Sequence, residues 1–268
     1  MSRKTLIWTI LIALFMLCLS CMLAYASVQR RNQVVSHVDI RIEREDILYL
    51  QEKDVWAWLE EHGIRVLGKS FAGIDVAEVE RVLRQNPFVA DVQVYPAGDS
   101  SLSVSMRQRN PVLKVLNTAQ TLFQVDEDGV EMPVSPDYAA RVRVASGHVP
   151  GKPVYGANVR HLADSMSRLV LGTIYEINRF LRADPLWDAM FEQIYVTEGL
   201  EYELLPKVGG QVVRLGKVSG RADLEDKMKR LRLFYLYGMG DHGWEKYSIL
   251  DLRYEGQLVA TRKPGYQR

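Results

Sequence analysis

The feature that most constrains this chain lies near its start. From Thr5 to Gln29 there is no charged residue, and Leu6 to Ala26 is apolar apart from Thr9 and Ser20. As a helix rising about 1.5 Å per residue, the run is roughly 30 Å long, the thickness of a bilayer's hydrocarbon. A helix in a soluble core is seldom apolar on every side, so the run reads as a single transmembrane anchor over residues 5–29, with residues 1–4 as a cytoplasmic tail. Arg3 and Lys4 before the run are matched by Arg30 and Arg31 after it, so flanking charge does not set orientation. A long following segment translocates regardless of charge, which puts the N-terminus in the cytoplasm and the bulk of the chain on the periplasmic side of the cytoplasmic (inner) membrane. The rival is a cleaved signal peptide, since Ala24-Tyr25-Ala26 has the small-x-small pattern. The apolar run, however, exceeds the usual h-region of about 7 to 15 residues. Lipidation would need Cys18 or Cys21, and neither follows a suitable box.

Both cysteines of the chain fall inside this run. The remainder of the chain therefore has no thiol for a disulfide framework, a cysteine nucleophile or a thiolate metal site. It must hold together by packing, and roughly 235 residues suffice for one or two cores. A formal net charge of +1 argues for no nucleic acid and no polyanionic substrate.

Between residues 34 and 111 the periodicity gives β-α-α-β-β. Val38, Ile40 and Ile42 alternate with His37, Asp39 and Arg41 in a strand over 35–43. Glu52 to Glu61 reads as a helix burying Val55, Trp56 and Leu59, closed by Gly63. A second helix over 74–85 opens on Asp75 with Glu78 as a capping box and buries Val76, Val79 and Leu83. Asn86-Pro87 stops it. Strands over 88–95 and 101–109 come next, joined through Pro96-Ala97-Gly98-Asp99.

A second pattern covers 112–263, with 264–268 left as a tail. Strands are expected at 112–117, 122–125 and 141–145. Asp126-Glu127-Asp128-Gly129 between them lacks the spacing and closing glutamate of a calcium loop and reads as a tight turn. An amphipathic helix over 159–181 carries Leu162, Met166, Leu169, Ile177 and Leu181 on one stripe and ends at Asp184-Pro185. Strands at 191–196, 200–205 and 211–215 precede a last helix over 220–237, in which Leu224, Met228, Leu231 and Tyr235 face a core. Arg221, Lys227, Lys229, Arg230 and Arg232 make the rest of that helix basic, either a solvated face or a surface for an acidic partner helix. The chain closes on a hairpin from Tyr247 to Lys263 turning at Glu255-Gly256, with Leu250, Leu252 and Tyr254 at the period that buries one face. Gln257 to Lys263 is then expected at a sheet edge, which either binds a partner strand or is blunted by Arg262, Lys263 and Pro264. The fold class expected is α+β: the anchor, the β-α-α-β-β module, and a mixed α/β domain with an antiparallel sheet and two main helices.

Residues that would carry chemistry do not assemble. The five histidines make no His-x-x-x-His pair and none has a glutamate at metal-ligand spacing. No serine sits in a Gly-x-Ser-x-Gly elbow, and Val208-Gly209-Gly210-Gln211 lacks the Lys-Ser/Thr of a phosphate loop. No catalytic residue, cofactor or metal is expected. The alternative is an anchored periplasmic enzyme with an unrecognised site. An outer-membrane transporter is excluded because a barrel needs at least eight strands of about ten residues, and the helices at 159 and 220 occupy that length.

The segment Asn86-Pro87-Phe88-Val89-Ala90-Asp91-Val92-Gln93-Val94-Tyr95-Pro96, then Leu102-x-Val104-x-Met106 and Arg109-Asn110-Pro111-Val112, resembles the POTRA domain of the FtsQ/DivIB cell-division proteins. Gln108 stands where that family usually has Glu. Val125-Asp126-Glu127-Asp128-Gly129, Gly147, Val213-Arg214-Leu215-Gly216, the helix after it and Ile249-Leu250-Asp251-Leu252-Arg253-Tyr254 resemble the family's second domain in order and spacing. The resemblance implies a non-catalytic scaffold of the division machinery, at the division septum, whose partners are FtsB/DivIC-like and FtsL-like single-pass proteins, with other division proteins meeting the POTRA domain. It places Arg253 and Tyr254 in the partner site. The edge adds Gly256, Gln257, Leu258, Val259, Ala260 and Thr261, and the basic helix face adds Lys229 and Arg230.

Overall fold

The structure, a computed structural model, describes residues 8, 12–22, 33–43, 49–98, 100–136, 138–239 and 245–265. Residues 12–22 are helical. Among the described residues no helix is long and apolar enough to cross a membrane. The single-pass anchor over 5–29, and the inner-membrane placement with a periplasmic bulk that rested on it, are corrected on that ground. The rest of the 5–29 stretch, including Ala24-Tyr25-Ala26, lies outside the described residues.

Two compact units succeed one another along the chain, dividing between Gln108 and Arg109. In the first, β1 (His37–Glu43), α1 (Glu52–Glu61), α2 (Val76–Arg84), β2 (Val89–Pro96) and β3 (Ser101–Gln108) form a three-stranded sheet in the order β1-β3-β2 with two helices. β1 runs parallel to β3 and β2 antiparallel to it. Parallel neighbours need a long crossover, and α1, α2 and β2 supply it. Val55 and Leu59 of α1 and Val79, Val82 and Leu83 of α2 pack with Val38, Val92, Val94, Leu102, Val104 and Met106 in one apolar cluster. Trp56, expected in that core, is only half-buried at its margin. Asp75 caps α2 by accepting from the Glu78 amide at 3.1 Å, but the Glu78 side chain pairs with Arg81, so the reciprocal half of the capping box is missing. Gln108 is buried, and its Oε1 accepts from the amides of Tyr49 and Leu50 at 3.1 and 3.0 Å. The amide oxygen thus fills the acceptor role that a glutamate would have there.

The second unit is built on one sheet of nine strands: β4 (Pro111–Leu116), β5 (Leu122–Asp126), β6 (Glu131–Pro133), β7 (Arg143–Gly147), β8 (Phe191–Val196), β9 (Tyr202–Pro206), β10 (Val212–Gly216), β11 (Tyr247–Asp251) and β12 (Val259–Arg262). Their order is β12-β11-β10-β9-β8-β7-β4-β5-β6. The antiparallel sheet expected from the sequence is corrected to a mixed one, because β4·β7, β7·β8 and β10·β11 are parallel. The cause is the connections: β5 and β6 lie between β4 and β7, α3 (Ser165–Arg182) and α4 (Pro185–Met190) link β7 to β8, and α5 (Arg221–Leu233) links β10 to β11, each a crossover that returns the chain in the same direction.

The first long helix begins later than its periodicity suggests. Val159 donates to the Gly129 carbonyl and Asn158 bridges Val130, in the turn between β5 and β6, so the chain stays non-helical over 159–164, and Asp164 caps α3 through the Ser167 amide at 2.7 Å. The buried stripe is Val170, Leu171, Ile174, Ile177, Asn178 and Leu181, whereas Met166 and Leu169 are exposed. Asp184-Pro185 ends one helix but also starts the next, Asp184 accepting from the Leu186 amide at 3.0 Å.

Under α3 a buried guanidinium holds the sheet to its helices. Arg143 Nε donates to the Phe191 carbonyl at 3.0 Å, its Nη1 to Asn178 Oδ1, and its Nη2 to Asp188 Oδ1 at 3.0 Å. Asn178, fully buried, spends its amide nitrogen on the Val112 carbonyl at 3.1 Å. Leaving such partners unpaired costs about 1–3 kcal/mol per group. Asn178→Ala is therefore expected to lower unfolding free energy by about 3 kcal/mol, read as a lower urea midpoint with an unchanged slope.

Candidate functional site

The terminal hairpin sits at one end of the nine-stranded sheet. β11 pairs parallel with β10 and antiparallel with β12, matching Asp251 with Val259, Leu250 with Ala260 and Ile249 with Thr261. β12 has β11 on one side and, among the described residues, no strand on the other. Leu258 and Ala260 pack against the core cluster, while Val259 and Thr261 are exposed. The opposite end of the sheet is closed: Glu131 in β6 donates its amide to Ala157 and accepts from Gly156, at 2.9 and 2.8 Å.

Asp251 and Arg253 lie two residues apart, so an extended chain turns both to one face. Arg253 Nη2 donates to Asp251 Oδ2 at 2.7 Å and its Nε to Oδ1 at 3.0 Å, while Nη1 reaches Glu201 at 3.4 Å. The Asp251 carboxyl is pushed up by burial, but the Arg253 hydrogen bonds and charge outweigh this and hold it below its ordinary value. The same contacts raise Arg253 above its own. The stem of Arg253 lies over Gly216, where φ is +70° and a Cβ would come within 2.6 Å of Arg253 Cγ. Only glycine meets both demands.

Beyond Arg253 the chain makes an exposed turn with Gly256 at φ +70°. Arg230 on α5 fixes that turn from below, its Nη1 donating to the carbonyls of Tyr254, at 2.8 Å, and of Gln257, while its Nη2 pairs with Asp226 at 3.0 Å. Carbonyls that would otherwise need water are thus tied to the helix. Tyr254, expected on the buried face with Leu250 and Leu252, is 49% exposed, and Val259 is 43% exposed.

The basic helix face is largely neutralised by the protein itself. Lys227 is buried, bonded to the Lys217 carbonyl at 2.6 Å and Asp223 at 3.0 Å. Arg221 pairs with Glu225 at 2.7 Å. Arg232 pairs with Asp184 and lies over the Trp187 ring at 5.2 Å. Lys229 alone of the expected pair projects into solvent. The internal duties of Arg230 and Gly216 escaped the sequence, although Leu-Gly at 215–216 and Asp-x-Arg at 251–253 were there to be paired.

Near the base of the hairpin the Phe234 ring packs edge-on to Tyr247 at 5.3 Å. Tyr235, desolvated there, has its hydroxyl pushed up to about 12, and that hydroxyl accepts from Gln211 Nε2 at 3.4 Å. Among the described residues no group of three or more His, Cys, Asp or Glu is placed to hold a metal ion. What this surface offers is main-chain groups, two half-exposed apolar side chains and a rigid turn.

Known proteins resemble the chain along both units. The family description "FtsQ/DivIB, C-terminal related" fits residues 110–261, and a POTRA-like domain fits residues 33–107. The cell division protein FtsQ of Rhodothermus marinus is 25% identical over 208 residues, covering 73% of this chain and 68% of that protein.

A depressed carboxylate stabilises the fold above its unfolded value and loses that contribution as pH falls through the folded one. Asp251→Asn is thus expected to cost about 2 kcal/mol at pH 7, with the gap to the parent narrowing as pH falls below the ordinary 3.8. Urea unfolding at several pH values checks it.

Proposed function

Because this chain belongs to the FtsQ/DivIB family of cell-division proteins, we propose that it is a non-catalytic scaffold of the division machinery that recruits FtsB/DivIC-like and FtsL-like subunits by accepting a partner's strand at β12. Family membership implies protein partners in division. What favours this place on the surface is the open side of β12 at the end of a sheet whose other end is covered. Strand addition draws affinity from main-chain hydrogen bonds and selectivity from alternate side chains. Val259 and Thr261 alternate on the face away from the core, and Tyr254 stands half-exposed at the adjoining turn.

In this scheme Arg253 and Arg230 act as positioning residues. Arg253 is locked to Asp251 and Glu201, and Arg230 holds the 254–257 turn. They reduce the ordering cost of binding. Gly256 and Gln257 shape the turn, Leu258 and Ala260 anchor the strand to the core, and Lys229 is the charge left for an acidic partner.

Val259→Glu, and separately Tyr254→Ala, should weaken capture of a purified FtsB/DivIC-like partner about tenfold, equivalent to about 1.4 kcal/mol, with the far-ultraviolet circular dichroism of the chain unchanged. Undiminished capture by both variants would remove β12 as the binding edge.

A further inference from the structure

The first unit also has a strand with one side open. β1 lies at the end of its sheet, bonded to β3 without a register break over seven residues. Just before it, Val35 donates to Lys69 and accepts from Gly68, both at 2.9 Å, on the outer side, while Ser36 donates to Ser100 of the loop before β3 at 3.0 Å. In β3 the main chain of Ser101, Ser103 and Ser105 is turned to β2, the Ala97 amide donating to the Ser101 carbonyl at 2.8 Å. In the β1·β3 register His37, Asp39, Arg41 and Glu43 therefore bond to β3, and the main-chain groups of Val38, Ile40 and Ile42 point outward. No described segment meets them after the 68–70 stretch ends. The strand carries neither proline nor bulge, the usual means of blunting such an edge.

Its sequence, His37-Val38-Asp39-Ile40-Arg41-Ile42-Glu43, is complementary to itself when reversed. Centred on Ile40, an antiparallel copy sets His37 against Glu43, Val38 against Ile42, Asp39 against Arg41 and Ile40 against Ile40. Opposite residues in an antiparallel pair share a face and alternate between hydrogen-bonded and non-hydrogen-bonded sites. In this register the outward-pointing residues 38, 40 and 42 fall at the hydrogen-bonded sites and the charged pairs at the closer non-hydrogen-bonded sites. Asp39 and Arg41 already pair within the strand at 2.8 Å. A second copy completes an alternating square of four charges, with the half-buried Ile40 and Ile42 meeting apolar residues on the other face.

We propose that two copies of this chain associate through β1, antiparallel about a two-fold axis at Ile40, joining their three-stranded sheets into one of six. The contact is isologous and closes on itself. It does not propagate, because the other edge, β2, is capped by its own helix: Arg84 donates to the Val92 carbonyl at 2.7 Å and Glu80 accepts from the Val94 amide at 2.8 Å. This interface is separate from β12 and stands or falls independently of the function proposed above.

Sedimentation of the full chain over a range of concentrations should show a reversible dimer. Asp39→Arg and Arg41→Asp each set like charges opposite one another twice and should each weaken self-association about tenfold. Mixed together, the two variants should associate as well as the parent, since each supplies the charges the other needs, and the doubly exchanged chain should recover alone. Main-chain amide exchange at Val38, Ile40 and Ile42 should slow as parent concentration rises, a reading that requires no variant to fold. A parent chain that stays monomeric, single variants that dimerise undiminished, or a mixture that fails to pair would each overturn the proposal.

Discussion

A strand at the end of a sheet turns every second amide and carbonyl away from its only neighbour, and buried or bare groups of this kind must be met by something. The two sheets here have four such ends among the described residues. β2 is met by a helix: Glu80 and Arg84, themselves paired at 3.2 Å, present a carboxylate and a guanidinium where a neighbouring strand would present a carbonyl and an amide. β6 is met by residues 154–158, which bond Glu131 through both main chain and side chain. Glu131 is buried deeply enough that desolvation raises its pKa against the pull of the Val154 amide. Two ends are thus closed from within, and β1 and β12 are the two that are not.

The open edges are useful only if what lies behind them is stiff. In the second unit stiffness comes from α3 and α5 packed on one face of the sheet, with Ile174, Ile177, Leu181, Leu224, Met228 and Leu231 in the same cluster as Ile194, Leu204, Val213 and Leu250. The opposite face carries Arg214 paired with Glu203 at 3.0 Å and Arg253 with Asp251 and Glu201, a polar ladder along β9, β10 and the chain after β11. Burial on one side and ion pairs on the other fix the last strands in place. Arg143, drawn below its ordinary basicity by burial, ties the same sheet to α3 and α4.

Most of the element order was legible because it rests on local rules. Alternation located the strands of the first unit, Asp75 and Asn86-Pro87 bounded α2, and Gly256 marked the turn of the hairpin. What failed required knowledge of distant partners. The phase of α3 was misjudged because Leu169 and Met166 look as apolar as Val170 and Ile174, and only the sheet beneath decides which pair is covered. Strand direction was lost because periodicity is the same for parallel and antiparallel pairing, and the crossovers through α3 and α5 set it. The length of the apolar run at the start licensed a spanning helix, and among the described residues no helix is long and apolar enough to cross a membrane. At the candidate site the edge itself was readable from chain order, but Arg230 looked like a free cation because its acceptors, the carbonyls of Tyr254 and Gln257, lie 24 and 27 residues further on.

The contrast between the two open edges bears on how each could be used. β12 is short, four residues with a register shift against β11 between Tyr247 and Ile249, and is followed by Lys263 and Pro264. Those features limit how far a foreign strand can extend, so specificity must come from the turn beside it, where Tyr254 is exposed on a backbone held by Arg230. β1 is longer, unbroken and patterned in charge, so its register can be set by side chains alone and a one-residue slip would oppose like with unlike faces. A brief edge next to a fixed turn suits a partner that brings further contacts of its own. An extended edge whose charges answer themselves in reverse suits a copy of the same chain, and the capping of β2 keeps that association from continuing into a fibre.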